Sequence, residues 1–171
     1  MATTQFTSKE LSDWLLNKAQ NAGTPDRTRK VILTMDMRGK DTTMVGKMYF
    51  FKYDPKLKGI LPQYDRFPLC IPIERYSDGF LGLNLHYIGG SDRSALVEKL
   101  LQYRNNDNLD ETTKLKLSYQ MLKNFSRLNS VIKPCVHRYL FTHVRSQFIE
   151  IYPFEYEKAL QLPAEHWVFK K

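Results

Sequence analysis

The chain has 171 residues, 42% of them apolar, with 26 lysines and arginines against 18 acidic residues, for a net charge of +8. That length and apolar content predict one domain, or one domain with a terminal extension, with a core that needs no metal or disulfide staples; intrinsic disorder is excluded. No apolar run approaches the roughly 18 residues of a membrane span, the N-terminus lacks the pattern of a secretory signal, and Cys70 and Cys135, without CxxC partners, read as free buried thiols of a reducing cytoplasm.

Residues 7–20 read as a short amphipathic helix. Thr7 or Ser8 supplies the N-cap, Glu10 stands three residues after Thr7 as in a capping box, and Leu11, Trp14, Leu15 and Ala19 recur at helical spacing. Ala22-Gly23-Thr24-Pro25 stops it. Residues 26–47 mix Arg27, Arg29, Lys30, Arg38, Lys40 and Lys47 with three aspartates and read as a basic arm, in which Val31-Ile32-Leu33 is a short strand or a helical turn. The predicted division is therefore 1–45 as N-terminal helix and basic arm, and 46–171 as a single α+β domain.

From 46 to 88 the pattern changes to strands and tight turns, a small bent antiparallel sheet or barrel. Met48 to Tyr53 is aromatic-rich, as a half-buried pleated surface requires, and Asp54-Pro55 marks a turn. Lys56 to Gln63 reads as a loop. Phe67 to Ile73 is a second strand, placed at an edge or broken by a bulge because Pro68 and Pro72 donate no ladder bond. Ser77-Asp78-Gly79 turns the chain into a third strand, Phe80 to Ile88, with Gly82, Asn84 and His86 on one face and Leu81, Leu83, Leu85 and Tyr87 on the other. That alternation predicts a half-buried strand.

Helices follow. Ser91 or Asp92 caps one that carries Leu96, Val97, Leu100, Leu101 and Tyr103. Asp110 or Thr112 starts another, running to about Phe125, with Leu115, Tyr119 and Leu122 on one face beside Met121 and Phe125. A third is predicted from Pro134 to about Gln147, with Val136, Leu140 and Val144 inward. Phe148 to Ile151 reads as a short strand, and Phe154 to Leu160 as a last turn or helix before Pro163.

The span with functional charge is 112–149, which holds no carboxylate but carries Lys114, Lys116, Lys123, Arg127, Lys133, Arg138 and Arg145. Such a surface suits a polyanion, since each cation neutralises a phosphate and releases its counterion. Steps of seven and four place Lys116, Lys123 and Arg127 on one helix face, and Arg138 and Arg145 together on the next. An acidic protein neighbour or an ordinary solvated face are the competing readings. These seven cations, with Arg27, Arg29 and Lys30 of the arm, are the candidate nucleic-acid contacts. Contacts so spread touch phosphates and do not read bases, and no helix-turn-helix, zinc-finger or ribonucleoprotein motif occurs. Tyr49, Phe51 and Tyr53 fit a core or sheet face better than a stacking platform for unpaired bases.

Enzymatic chemistry finds no motif. There is no GxxxxGK loop and no GxSxG elbow. His137 and His143, six apart, point to opposite sides of the predicted helix and share no metal easily, and His86 beside Asn84 reads as a satisfied structural histidine over a cleft residue. Asp54, Asp65 and Asp78 are explained by turns. No metal, cofactor or catalytic residue is indicated.

Three strings are distinctive: Tyr53-Asp54-Pro55-Lys56; Leu61-Pro62-x-Tyr64-Asp65-x-Phe67-Pro68-Leu69; and Asp78-Gly79-Phe80-x-Gly82-Leu83-Asn84-Leu85-His86-Tyr87. In these, and more weakly through Lys133-Pro134-Cys135, Arg138-Tyr139-Leu140 and Phe148-Ile149-Glu150-Ile151, the chain resembles a family of virion proteins of large contractile-tailed bacteriophages, often labelled DNA end protectors. The resemblance spans roughly residues 46 to 165; Ile88-Gly89-Gly90 departs from it where a proline-containing turn is expected. It implies a late phage protein, assembled in the host cytoplasm and carried in the virion, that binds the end of packaged linear double-stranded DNA and shields it from exonuclease. A structural role in tail, neck or baseplate through contacts with other virion proteins is the competing class, and an inhibitor of a host nuclease the third. The resemblance transfers no functional residue.

Overall fold

The computed structural model describes residues 4–21, 46–128, 133–162 and 167–170. Helix α1 (Ser8–Asn21) opens on the predicted capping box: the Thr7 N–H donates to the Glu10 carboxylate at 2.7 Å, and the Glu10 N–H returns to Thr7 Oγ1 at 3.3 Å. Leu11 is buried and Trp14 and Leu15 pack beside it. Trp14 Nε1 donates to Glu155 Oε1 at 3.1 Å and Lys18 pairs with Glu155 Oε2 at 2.8 Å, so α1 is bound to the C-terminal part of the chain. The stop expected at 22–25 and the arm, with Val31-Ile32-Leu33 and all but its last two residues, lie outside the described residues, as does Pro163.

Seven strands are described. β1 (Met48–Phe50), β3 (Leu69–Arg75), β4 (Gly79–Asn84), β5 (Val136–Leu140) and β6 (Ile149–Ile151) form one antiparallel sheet in the order β5-β4-β3-β1-β6, while β2 (Gln63–Asp65) and β7 (Val168–Lys170) form a two-stranded one. The larger sheet is open, with β5 and β6 at its edges, so of the two expectations the antiparallel sheet forms and the barrel does not. After Phe50 the chain leaves the ladder, and Tyr53 bridges Val144 instead.

Proline-bearing β3 is the middle strand, not an edge. The predicted bulge is what permits this: the register slips between Pro72 and Glu74, and the Pro72 carbonyl is taken by the Gly46 N–H at 2.9 Å. Gly46 reaches that position with φ of 78°, a left-handed conformation that favours glycine.

β4 is shorter than its alternation implies. Asn84 Oδ1 accepts the His86 N–H at 3.0 Å and starts a 3-10 turn, Leu85–Tyr87, which ends the period-two pattern. The strand is covered on both faces and not half-buried. Leu83 joins Met48, Phe50, Leu69 and Ile71 in the main core, while Phe80 on the opposite face meets Phe51, Tyr53, Cys70, Tyr139 and Val144. Each such side chain contributes on the order of 1.5–3 kcal/mol of burial.

Helices α2 (Gly90–Arg104) and α3 (Glu111–Leu128) close the main core through Leu96, Val97, Leu100 and Leu122. The cap of α2 is Gly89, with no side-chain bond, and not Ser91 or Asp92. Asp110 caps α3, accepting the Thr113 N–H at 2.8 Å, as the sequence predicts. A 3-10 turn, Pro153–Glu155, leads into α4 (Tyr156–Leu160).

The helix expected from Pro134 to Gln147 does not form. Pro134 opens a single 3-10 turn, Lys133–Cys135, and Val136 to Leu140 then become β5, paired residue for residue with Leu83 to Gly79. Valine and tyrosine suit that pleated, packed surface. A Cβ at Gly79 would run into the Tyr139 carbonyl, so glycine there lets the two backbones approach. Beyond β5 the chain makes a second 3-10 turn, Phe141–His143, and continues extended to β6.

Candidate nucleic-acid interface

The loss of that helix redistributes the candidate cations. Lys116 is exposed on α3, but Lys114 is buried in line with Ser118 and Leu122, on the side of the helix that meets the core. Lys123 and Arg127 fall on α3 and Lys133 on the 3-10 turn before β5; only their backbone is described. Arg27, Arg29 and Lys30 lie outside the described residues. Arg138 and Arg145 do not share a helix face. Arg138 sits on the edge strand, its guanidinium 2.5 Å from Asp78 and 4.0 Å over the Tyr76 ring. Arg145 lies past the strand, donating to the Thr142 carbonyl at 2.7 Å with Asp54 at 3.8 Å. Both arginines are roughly half exposed and their ion pairs are wet. Pairs of that kind hold their partners by about 0–1 kcal/mol only.

Of the aromatic residues weighed as a stacking platform, Phe51 and Tyr53 are buried in the second cluster and Tyr49 packs on it. The Tyr53 hydroxyl instead accepts the Leu140 N–H at 3.0 Å, fastening β5.

A cavity of about 310 Å³ lies between the end of β5, β2 and the 55–61 loop, lined among others by Tyr53, Lys56, Tyr64, Asp65, Tyr87 and Tyr139. All but Tyr139, which belongs to the weaker string Arg138-Tyr139-Leu140, come from the three distinctive strings noted in the sequence, which are far apart in the chain and meet at this wall. His137 is also at the wall, against Tyr87 at 5.1 Å between ring centres. Burial lowers its pKa, leaving the imidazole neutral at pH 7, and its Nε2 has no hydrogen-bond partner among the described residues. Burial likewise raises the Tyr87 phenol far above its ordinary value.

From Asp65 at the wall a polar network runs inward, which turn propensity had concealed. Asp65 is buried. Its carboxylate takes the Phe67 N–H at 2.8 Å and Asn84 Nδ2–H at 3.0 Å, with His86 Nδ1 at 2.5 Å. His86 in turn stacks on Trp167, with ring centres 5.7 Å apart. The Asp65 and His86 side chains are only 2% and 1% exposed, so the pair is sealed from bulk solvent, as the reading of His86 as a satisfied structural histidine expects. Among the described residues, no group of three His, Cys, Asp or Glu is placed to hold a metal ion. Nor is any helix among them long and apolar enough to cross a membrane. Asp54 and Asp78 remain at turns, as expected, and hold Lys58 and Arg138.

The missed features have one cause: Asp65 and His86 are 21 residues apart, and nothing in either local pattern distinguishes a buried pair from a turn aspartate and a strand histidine.

A family model described as phage T4 terminal DNA protecting protein matches residues 16–171. No curated protein and no solved structure gives a significant match to the chain.

Proposed function

Because the chain belongs to the family of the phage T4 terminal DNA protecting protein, we propose that it binds the end of packaged linear double-stranded DNA and shields it there by occupancy, without catalysing a reaction. The observation that carries this reading is the absence of any carboxylate from 112 to 149 in a chain of net charge +8. An end binder that accepts any sequence needs phosphate contacts and little base readout. In this reading Lys116, Lys123, Arg127, Lys133, Arg138 and Arg145 supply contacts, joined by Arg27, Arg29 and Lys30; buried Lys114 contributes least. The protein assembles in the host cytoplasm and remains with the DNA in the particle, its 46–171 domain carrying the 1–45 segment as an accessory.

The test compares binding to a blunt linear duplex and to a closed circle of the same sequence over a range of salt. Preference for the linear form, with affinity falling steeply as salt rises, supports end protection. Each phosphate contact contributes about 0.9 to the log–log salt slope, so Arg138→Ala and Arg145→Ala should each flatten it by about that amount. Equal affinity for the circle, or no DNA binding, would sink the reading.

One observation favours a protein-contact role in tail, neck or baseplate. Phe154 is 85% exposed and stacks in parallel on exposed Tyr152 at 5.9 Å, an apolar projection of the kind that meets another protein. Fixed stoichiometry in purified tails together with absence of DNA binding would select it.

A further inference from the structure

Phosphate contacts explain attraction to DNA but do not distinguish an end from the middle of a duplex. We propose that the cavity beside β5 does so, by receiving the terminal nucleotide of the DNA end; this rests on the end-binding reading above. The base stacks on the aromatic wall of Tyr64, Tyr87 and His137, and its phosphate meets Lys56 at the mouth.

Four features support this occupant. The volume, about 310 Å³, lies at the lower end of the roughly 300–1,000 Å³ of small-ligand sites, enough for one nucleotide and far too little for a duplex. The wall is aromatic yet carries a polar group suited to a base edge, Gln63. Lys56, exposed at the wall, supplies the charge that a phosphate requires. The surround is apolar and open: Leu57, on the wall, is 54% exposed, Ile60 on the same loop is 77% exposed, and exposed Phe169 stacks on Tyr64 at 5.3 Å. Apolar side chains so presented match the bare π-face of a terminal base pair, which the interior of a duplex never shows. A terminal nucleotide also leaves its stack at lower cost than an internal one, having a stacking neighbour on one side only. Selection of ends then follows from the pocket, whatever the sequence, because every base has a π-face.

The experiment uses the full chain and blunt duplexes carrying 2-aminopurine at the terminal nucleotide or ten nucleotides inside. The expected result is a fluorescence change on binding for the terminal probe alone. Tyr64→Ala and Tyr87→Ala should each weaken binding to linear duplex by about 5- to 150-fold, leave binding to closed circles unchanged, and be rescued by Tyr64→Phe and Tyr87→Phe, which keep the ring. The phenylalanine variants and thermal melts separate lost stacking from lost folding. Wild-type preference for ends with a silent terminal probe, and alanine variants that bind ends normally, would overturn this inference and leave end protection standing; a cavity filled by a side chain of a neighbouring virion protein gives that result. Equal wild-type affinity for linear and circular DNA would remove both.

Discussion

Replacing Asp65 by alanine tests the physical account of the core beside the cavity. The carboxylate is the shared acceptor for the Phe67 N–H, the Asn84 amide and the His86 imidazole, at 2.8, 3.0 and 2.5 Å, behind side chains that exclude solvent. Alanine leaves these groups buried without an acceptor. Each orphaned donor costs about 1–3 kcal/mol, and breaking a buried ionisable pair from one side costs about 3–5 kcal/mol in total, since relaxation prevents the individual penalties from adding fully. Against a domain stability of about 5–15 kcal/mol the loss is large. For a chain of this size, about 2–4 °C per kcal/mol converts it to a fall in Tm of about 6–20 °C. Asp65→Asn keeps an acceptor oxygen and the side-chain volume and should lose roughly half as much. The assay is urea unfolding followed by circular dichroism, where the midpoint should drop at constant slope. Asp78→Ala, whose Arg138 partner is on the surface, is the control and should melt as wild type. A loss below about 1 kcal/mol in Asp65→Ala would refute the buried network as a source of stability.

Three further outcomes are expected. Gly79→Ala, whose Cβ meets the Tyr139 carbonyl, should cost about 1–3 kcal/mol and raise hydrogen-exchange rates first along β5, which hydrogen–deuterium exchange resolves by segment. Burial pushes the Glu155 pKa up, but bonds from Lys18, the Tyr152 N–H and Trp14 outweigh it and hold the carboxyl below its ordinary value. A depressed folded pKa contributes stability above the unfolded value of 4.5 that is lost as pH falls through the folded pKa, so acid should undock α1 and change Trp14 fluorescence, and Glu155→Gln should remove that acid step. Cys70 and Cys135 are buried thiols outside any disulfide, with raised pKa values, so a thiol reagent should label them only as fast as the protein opens.

The helical and strand segments with a single strong period were legible in the chain. The Thr7–Glu10 capping box, the Asp110 cap, the bulge at Pro72 and the hairpin at Ser77-Asp78-Gly79 are local events, decided by side chains within four residues of each other. The segment 134–147 was not legible, because Val136, Leu140 and Val144 at steps of four fit an amphipathic helix as well as Val136 and Leu140 fit one face of a strand. Pairing with β4 chose the strand. The candidate site suffered from the same ambiguity: with the helix gone, Arg138 and Arg145 separated. Lys114 was lost for another reason, since it lies on the core-facing side of α3 with Ser118.

What the sequence determined by itself is composition and local pattern: a basic chain, a long span without carboxylates, an α+β pattern and a likeness to its family. These are properties of residue type and short-range order, and they do not depend on how the chain packs. Only the tertiary structure decided that β3 lies at the centre of an open sheet, that Asp65 and His86 meet inside it, and that Tyr53, Tyr64, Tyr87 and Tyr139 surround one cavity. The physical reason is distance along the chain: contacts between residues tens of positions apart depend on which strands pair and where the sheet bends, and no local period records either.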